Sequence, residues 1–576
     1  MNDNPHGVMR KLSNKDSLGS VSGGAVDLAQ NPSLTPRLLT SHQLLHYAIL
    51  ALIGSTIALW DFKNSGELWL DDGARYCNNG AMVRDFLLFG DLHKPIEFAK
   101  KNYAQFPAHS IPYHPPAYPL ITGIWFTVVG MSYFSIRLLI AAMFSGSLFF
   151  FHKILRLLGC NLTTALVGTL LLAFTPELIT WSRTAMSEIP GLLFALGGLF
   201  FFLKFTATFN TKDIVFCFVL FELGFLTRIQ TAGLLPGLFL YFAYRHGIKR
   251  TFDNRLILFA LCYCSCNMAW IRFASNYSKI EMKSKLLSLD RITELSNWTQ
   301  WITNLPNLAG WSLLLWIPFL ILPYFPSLPK KYRTGNSTAF LLLLFLSVFL
   351  FEGIRGSHLE SRYFVYGVPA IVGLSTLAMS RVWQIKSLLV KTIVACYFST
   401  SLALGAFAVQ QSERGLVGYE NVGISLAKSS KEGNILVSTP WDSDLIFHYR
   451  CHQTKPRTSI IRGDRVLSIR FGGYAMEPTT QICQDSDDVH RCISDGAIRY
   501  IVTATPSPGT QYTLPAEMRL CHESVMYSPT KYKLVETNNI SNNGRKFIIY
   551  IWENLDPNLS LQSILPINVP TAGLQL

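Results

Sequence analysis

The sequence predicts an all-α polytopic membrane bundle of about eleven spans, followed by a small C-terminal α/β domain on the external face. Three observations predict it. The chain is 49% apolar and only 15% charged over 576 residues. Its apolar residues gather in uncharged runs, such as IPGLLFALGGLFFFL at 189–203 and AFLLLLFLSVFLF at 339–351, approaching the roughly 20 residues that cross a bilayer. Lys and Arg concentrate in the short breaks between these runs, and the composition turns polar after about residue 415. Membrane topology therefore accounts for the formal charge of +14 better than nucleic-acid binding does.

Residues 1–40 are rich in Ser, Asn, Gly and Pro, with basic Arg10, Lys11 and Lys15, and read as a disordered cytoplasmic tail. The transmembrane domain is expected over 41–410. No small-residue cleavage site follows the first apolar run, so it reads as a retained span rather than a signal peptide. Spans are placed at 44–62, 135–156, 162–180, 189–207, 213–228, 231–245, 256–275, 309–326, 337–352, 363–380 and 387–409.

Basic residues mark the even-numbered breaks: His152, Lys153 and Arg156; Lys212; Arg245, Lys249, Arg250 and Arg255; Lys330, Lys331 and Arg333; Arg381 and Lys386. Those breaks are predicted to share the cytoplasmic side with the tail, which puts the odd-numbered breaks outside. The first external loop is then 63–134. Its apolar stretch 118–130 is short for a span and would invert every later assignment, so it reads as an interfacial or re-entrant helix. An integral multi-pass protein of the cell inner membrane follows, with a periplasmic or extracellular C-terminal domain.

That domain, 411–576, shows β-rich runs at 434–438, 498–504 and 546–553. An exported location permits disulfides among Cys451, Cys483, Cys492 and Cys521, with three pairings open. Cys262, Cys264 and Cys266 read as small residues of a helix-packing surface rather than a metal motif. Asp442 and Asp444, in TPWDSDLIFHYR, read as helix-capping residues.

Polar residues can now be sorted by side. The first external loop holds LWLDDGARYCNNGA (68–81), with Asp71, Asp72, Arg75 and Tyr76, and IPYHPPAYP (111–119), with Tyr113 and His114. The second external turn, WSRTAMSEIPG (181–191), brings Arg183 and Glu188. Arg228 lies in the third, and Arg355, His358, Glu360 and Arg362 in the fifth. Ionisable groups at membrane depth are costly and line cavities or sites. Carboxylates beside cations suit attack by an acceptor hydroxyl at a carbon that loses a phosphate: a carboxylate takes the proton, and guanidinium and imidazole groups stabilise the departing charge.

The ordered motifs resemble those of the GT-C membrane glycosyltransferases, in the branch containing protein O-mannosyltransferases and the lipid A aminoarabinose transferase. LW..DD.ARY is similar to that branch's first acidic motif, HPPAYP to its Pro-rich segment, TAMSEIP to its second acidic motif and SRYFVYGVPA to its late helix. The likeness spans about residues 44–410. It implies a GT-C bundle and a polyprenyl-phosphate-linked sugar donor. Asp71 matches the leading acidic residue, which acts as base or positions the acceptor. Asp72 stands where Glu is common, and Glu188 matches the second acidic position.

His114 falls where the branch has His or Lys near the donor phosphate, and Arg228 where it often has a basic residue. Arg183, Arg355, His358 and Arg362 are added as phosphate-binding candidates from topology, and Arg75, Tyr76 and Tyr113 as substrate-binding candidates. No metal site is evident; a divalent cation, Mg or Mn, is an optional cofactor if folding gathers Asp71, Asp72 and Glu188.

The reading is a glycosyltransferase moving one sugar from a polyprenyl-phosphate donor to a protein, glycan or lipid acceptor on the external face, with inversion. The alternative is a transporter or flippase of lipid-linked sugars, although neither DDGARY nor HPPAYP recurs in the later half. A receptor whose C-terminal domain binds ligand is a third reading.

Overall fold

The structure, a computed structural model, describes residues 41–556 and 559 except 63–69, 111–113, 278–294, 311–334, 356–359, 384–386, 412–414, 430, 432, 454–457, 470–479 and 543. The expected eighth span lies outside the described residues from 311 onward, as do the tail 1–40, Tyr113 and His358. Asp71 and Arg355 are described only as backbone positions of helices.

The bundle is built from α1 (Ser41–Leu59), α2 (Leu70–Phe89), α3 (Pro95–Gln105), α4 (Ala117–Val129), α5 (Tyr133–Leu157), α6 (Leu162–Ala173), α7 (Pro176–Ser182) and α8 (Glu188–Thr208). It continues with α9 (Thr211–Phe225), α10 (Leu235–His246), α11 (Asn254–Tyr277), α12 (Leu295–Ala309), α13 (Asn336–Arg355), α14 (Val368–Trp383) and α15 (Leu388–Gln411). Side-chain caps start several of them: Ser132 accepts from the Ser135 N–H at α5, and Asn161 from that of Thr164 at α6. Pro176 cannot continue α6, because it has no N–H to donate and clashes with the preceding turn, so α7 leaves at a 67° bend.

Six described helices, α1, α5, α8, α11, α13 and α15, are long and apolar enough to cross a membrane, or seven if the bent α6–α7 pair is one span. The expected count of about eleven is not confirmed among the described residues. Three further expected spans correspond to shorter α-helices: α9, α10 and α14 have 15, 12 and 16 residues. The 118–130 stretch forms α4, too short to cross, which packs on α2. A Cβ at Gly80 would sit 2.5 Å from Thr122 Cγ2, and one at Gly123 2.5 Å from Val83 Cβ. Both glycines are thus needed for the α2–α4 crossing.

Cys262, Cys264 and Cys266 lie on α11, where Cys264 and Cys266 are exposed. The expected packing surface is corrected: α11 presents those two sulfurs outward, because it lies on the outside of the bundle and is mostly unburied.

The C-terminal part folds as α16 (Tyr419–Lys428), β1 (Asn434–Ser438), α17 (Asp442–His452), β2 (Ile460–Arg462), β3 (Ser468–Ile469), β4 (Thr480–Gln481), α18 (Ser486–Asp495), β5 (Ile498–Pro506), α19 (Ala516–Met526), β6 (Tyr532–Asn542) and β7 (Arg545–Asn554). Five strands form one sheet in the order β2-β1-β5-β7-β6. β1 runs parallel to β2 and β5, while β7 runs antiparallel to β5 and β6. Successive strand residues point to opposite faces. Ile435 and Val437 join one core with Tyr419 and Leu445, and Leu436 joins another with Val489 and Cys521.

Asp442 does not cap α17. It pairs with Arg462, Oδ2 to Nε at 2.7 Å, and the N-cap residue is Trp441, without a side-chain bond. The charge pair wins because the carboxylate is already inside the helix, one residue past the cap.

α17 docks on α2. Asn78 Nδ2 donates to the Ser443 carbonyl at 3.0 Å, and Arg450 Nη2 donates to Asp85 Oδ2 at 2.8 Å. The Arg450 guanidinium lies 4.6 Å from the centroid of the Phe106 ring. Arg450→Ala would leave Asp85 and the Asn78 carbonyl without this donor, at a cost of about 1–3 kcal/mol. A lower thermal midpoint in detergent is expected, and an unchanged midpoint would contradict the docking.

Candidate active site

The site forms where five chain segments meet at one end of the bundle. α2 begins at Leu70, so Asp72 sits in its first turn, where the partial positive charge of the helix favours a carboxylate. Ala117, at the start of α4, donates its N–H to the Leu226 carbonyl at 2.8 Å. That bond brings the His114 segment beside Arg228. Glu188 opens α8 and is fully buried. The two-turn 3-10 segment Ser361–Tyr366 carries Arg362, and Gly191, one turn into α8, leaves room for the Tyr366 hydroxyl.

Arg362 stands between the two acids, with Nη1 3.4 Å from Asp72 Oδ2 and Nε 3.9 Å from Glu188 Oε1. Arg228 Nη2 reaches Glu188 Oε1 at 2.8 Å, and Arg362 Nε also pairs with Glu360 Oε2. Arg75 Nη1 and His114 Nε2 face Asp72 Oδ1 at 3.8 and 4.0 Å. Arg228 Nη1 donates to Ser187 Oγ at 2.8 Å, and Ser187 donates in turn to the Tyr76 hydroxyl at 2.9 Å. Tyr363 lies under both guanidinium groups, 5.5 Å from Arg228 and 5.4 Å from Arg362, a geometry in which the ring face attracts the cation.

Charge states follow from these surroundings. Burial works to raise the Asp72 pKa but is outweighed by His114, Arg75, Arg362 and Arg228, so the carboxyl stays below its usual range. Burial pushes His114 down to about 4, so its imidazole is neutral at neutral pH. Burial pushes the Tyr76 phenol up to about 12 and keeps it protonated.

Of the residues singled out in the sequence, Asp72, Arg75, Tyr76, His114, Glu188, Arg228 and Arg362 are brought together. Arg183 is not. Its guanidinium donates to the Ile57 and Trp60 carbonyls at 3.2 and 3.4 Å, at the C-terminal end of α1, where a cation satisfies carbonyls that have no partner within the helix. Its expected place at a phosphate is corrected to that helix end. Asp71 lies one position before Asp72 on α2; its side chain, Tyr113, His358 and the Arg355 side chain are outside the described residues. Among the described residues no three His, Cys, Asp or Glu side chains converge to hold a metal ion, and the Arg362 guanidinium stands between Asp72 and Glu188.

Residues 113–270 match the family described as dolichyl-phosphate-mannose-protein mannosyltransferase. That segment is similar to this family. It carries His114, Glu188 and Arg228, while Asp72 and Arg362 flank it in sequence and join it in space. Among solved structures the chain is similar to ArnT from Cupriavidus metallidurans. The apo state aligns with a TM-score of 0.56 at 13% identity, covering 88% of this chain and 97% of that one. The undecaprenyl-phosphate-bound state aligns with a TM-score of 0.51 at 13% identity, covering 89% and 98%. At this identity the likeness is one of fold. No curated protein matches the chain.

The site also holds two residues that sequence reasoning missed, Ser187 and Asn79. Ser187 precedes the acid it supports. Asn79 lies seven residues after Asp72, a spacing that returns to the same helix face, so the NN of LWLDDGARYCNNGA carried a readable signal.

Proposed function

We propose that this chain is an integral membrane glycosyltransferase that moves one sugar from a polyprenyl-phosphate donor to an acceptor on the external face, with inversion. The observation that carries the reading is the Asp72–Arg362–Glu188–Arg228 cluster, half-buried at Asp72 and buried at the other three, at one end of an ArnT-like bundle. In this reading the acceptor oxygen attacks the anomeric carbon, and the bond from that carbon to the phosphate oxygen breaks. Polyprenyl phosphate leaves with the electron pair, and the acceptor proton passes to a carboxylate on α2.

Asp71 is the base. Asp72, with its pKa held low by arginines, is a weak proton acceptor and is suited to orienting Arg75 and Arg362. Arg228 and Arg362 present guanidinium N–H groups to the departing phosphate. Glu188 keeps Arg228 in place.

The test is chemical. Glycans and glycoproteins from cells lacking the protein are compared by mass spectrometry with those of cells that have it. One sugar is expected to disappear and to return with the wild-type chain but not with Asp71→Asn. Identical profiles with and without the protein would sink the reading.

The external face has its own test. Cys483 Sγ and Cys492 Sγ lie 3.4 Å apart. In an oxidising compartment the two thiols pass two electrons to an oxidised dithiol carrier and join. Acid-trapped, alkylated protein from membranes is expected to show this pair bridged. Two free thiols at these positions would place the sheet on the reducing side.

A further inference from the structure

Hydrogen-bond direction around His114 can be followed from one unambiguous donor. The Ser110 backbone N–H can only donate, and it meets Asn79 Oδ1 at 2.9 Å. This distinguishes the oxygen of the Asn79 amide from its nitrogen. The amide nitrogen then donates to Ser110 Oγ at 3.0 Å. Among the described residues Ser110 Oγ has one other contact, His114 Nδ1, at 2.7 Å. The Ser110 hydroxyl hydrogen therefore meets an acceptor there only if Nδ1 carries no hydrogen.

We infer that Asn79 and Ser110 are positioning residues that hold His114 as the neutral tautomer with its hydrogen on Nε2, so that it presents an N–H toward Asp72 rather than a lone pair. The ring plane is set as well. Tyr76 stacks on His114 with centroids 4.4 Å apart and planes 16° from parallel. The relay is built on α2 itself, since Asp72, Tyr76 and Asn79 are all residues of that helix. One helix thus carries the carboxylate, the stacking ring and the amide that orients the imidazole.

The charged groups around the imidazole are Asp72, Arg75, Arg228 and Arg362. Burial and the three cations oppose a second proton, and Asp72 favours one; the outcome is a pKa of about 4. His114 therefore stays neutral between about pH 5 and pH 8, the range in which an ordinary histidine switches.

A chemical consequence rests on the glycosyl-transfer reading: the His114 Nε2–H, 4.0 Å from Asp72 Oδ1 and beyond hydrogen-bond range of it, can donate to an oxygen of the donor phosphate, and the ring takes no proton from the acceptor. The tautomer itself does not rest on that reading. Its test needs no substrate.

The full chain is labelled with nitrogen-15 histidine and reconstituted in lipid nanodiscs, and the His114 signals are assigned by their loss in His114→Gln. Two signals are expected, an unprotonated Nδ1 and a protonated Nε2, unchanged between about pH 5 and pH 8. A wild-type signal showing Nδ1–H, or an imidazolium at neutral pH, would overturn the inference even if every variant misfolds. Asn79→Asp replaces the donor amide by an acceptor, so Ser110 turns its hydroxyl toward the new carboxylate and His114 is expected to protonate Nδ1. Ser110→Thr keeps the hydroxyl and is expected to retain the wild-type tautomer, whereas Ser110→Ala is expected to give a mixture. A folded Asn79→Asp protein with an unshifted His114 spectrum would also overturn it.

Discussion

Asp71→Asn is expected to lower sugar transfer by about 10²- to 10⁴-fold, the range of a lost general base, while the protein stays folded in membranes. The change keeps the size of the side chain and removes only its ability to accept a proton. The neighbouring acid is a poor substitute. Asp72 is held ionised by Arg75, Arg362 and Arg228, and a carboxylate stabilised in its charged form gains little by taking a proton. Asp72→Asn is the matching control: it disturbs the arginines first, so KM for the donor should rise before kcat falls. Initial rates with a labelled polyprenyl-phosphate sugar separate the two, and full activity of Asp71→Asn would exclude it as the base.

Glu188→Ala carries the second large effect. Arg228 is buried, and its closest charge partner is Glu188 at 2.8 Å. Removing one member of a buried pair leaves the other desolvated and uncompensated, which costs about 3–5 kcal/mol. A strongly lowered thermal midpoint in detergent is expected, together with loss of transfer. Glu188→Gln keeps a hydrogen-bond acceptor for Arg228 and is expected to recover part of the stability. The Glu188→Ala and Arg228→Ala changes should not add, because either one breaks the same pair. Additive losses would show that the two side chains act independently.

Much of the bundle was legible because a bilayer imposes a one-dimensional rule. A helix that crosses needs a long uncharged run, and α1, α5, α8, α11, α13 and α15 all fall on runs visible in the chain. The rule weakens for short helices. α9 and α10 have 15 and 12 residues, so an apolar run there marks a helix of the bundle, while length alone does not mark a crossing. The strands β1, β5 and β7 were legible for a similar reason, as apolar runs bounded by turns.

The site was legible only as a set of residue types. Asp72 and Arg362 are separated by 290 positions, and no local pattern tells which of several arginines will reach which acid. Arg183 shows the difference. It lies five residues before Glu188 in an acidic motif, yet it turns to the carbonyls at the end of α1. Ser187 went unread because a neutral hydrogen-bonding side chain carries no charge signal, whereas Asn79 was signalled only by its seven-residue spacing from Asp72 along one helix. Arg450 was missed because its partner Asp85 is 365 positions away.

By itself the sequence determined that this is a multi-span membrane protein with a polar α/β tail, and that acids and cations recur in its breaks. Those properties follow from solvation, which acts on each segment separately. Tertiary structure alone decided that Arg362 joins Asp72 to Glu188, that Arg183 stands apart, and that Asn79 and Ser110 turn the His114 imidazole. Those outcomes depend on distances of a few ångströms between helices, set by close approaches such as Gly80 against Thr122 and Gly191 against Tyr366. Packing of that kind is a property of pairs of segments, and a single chain read in order does not contain it.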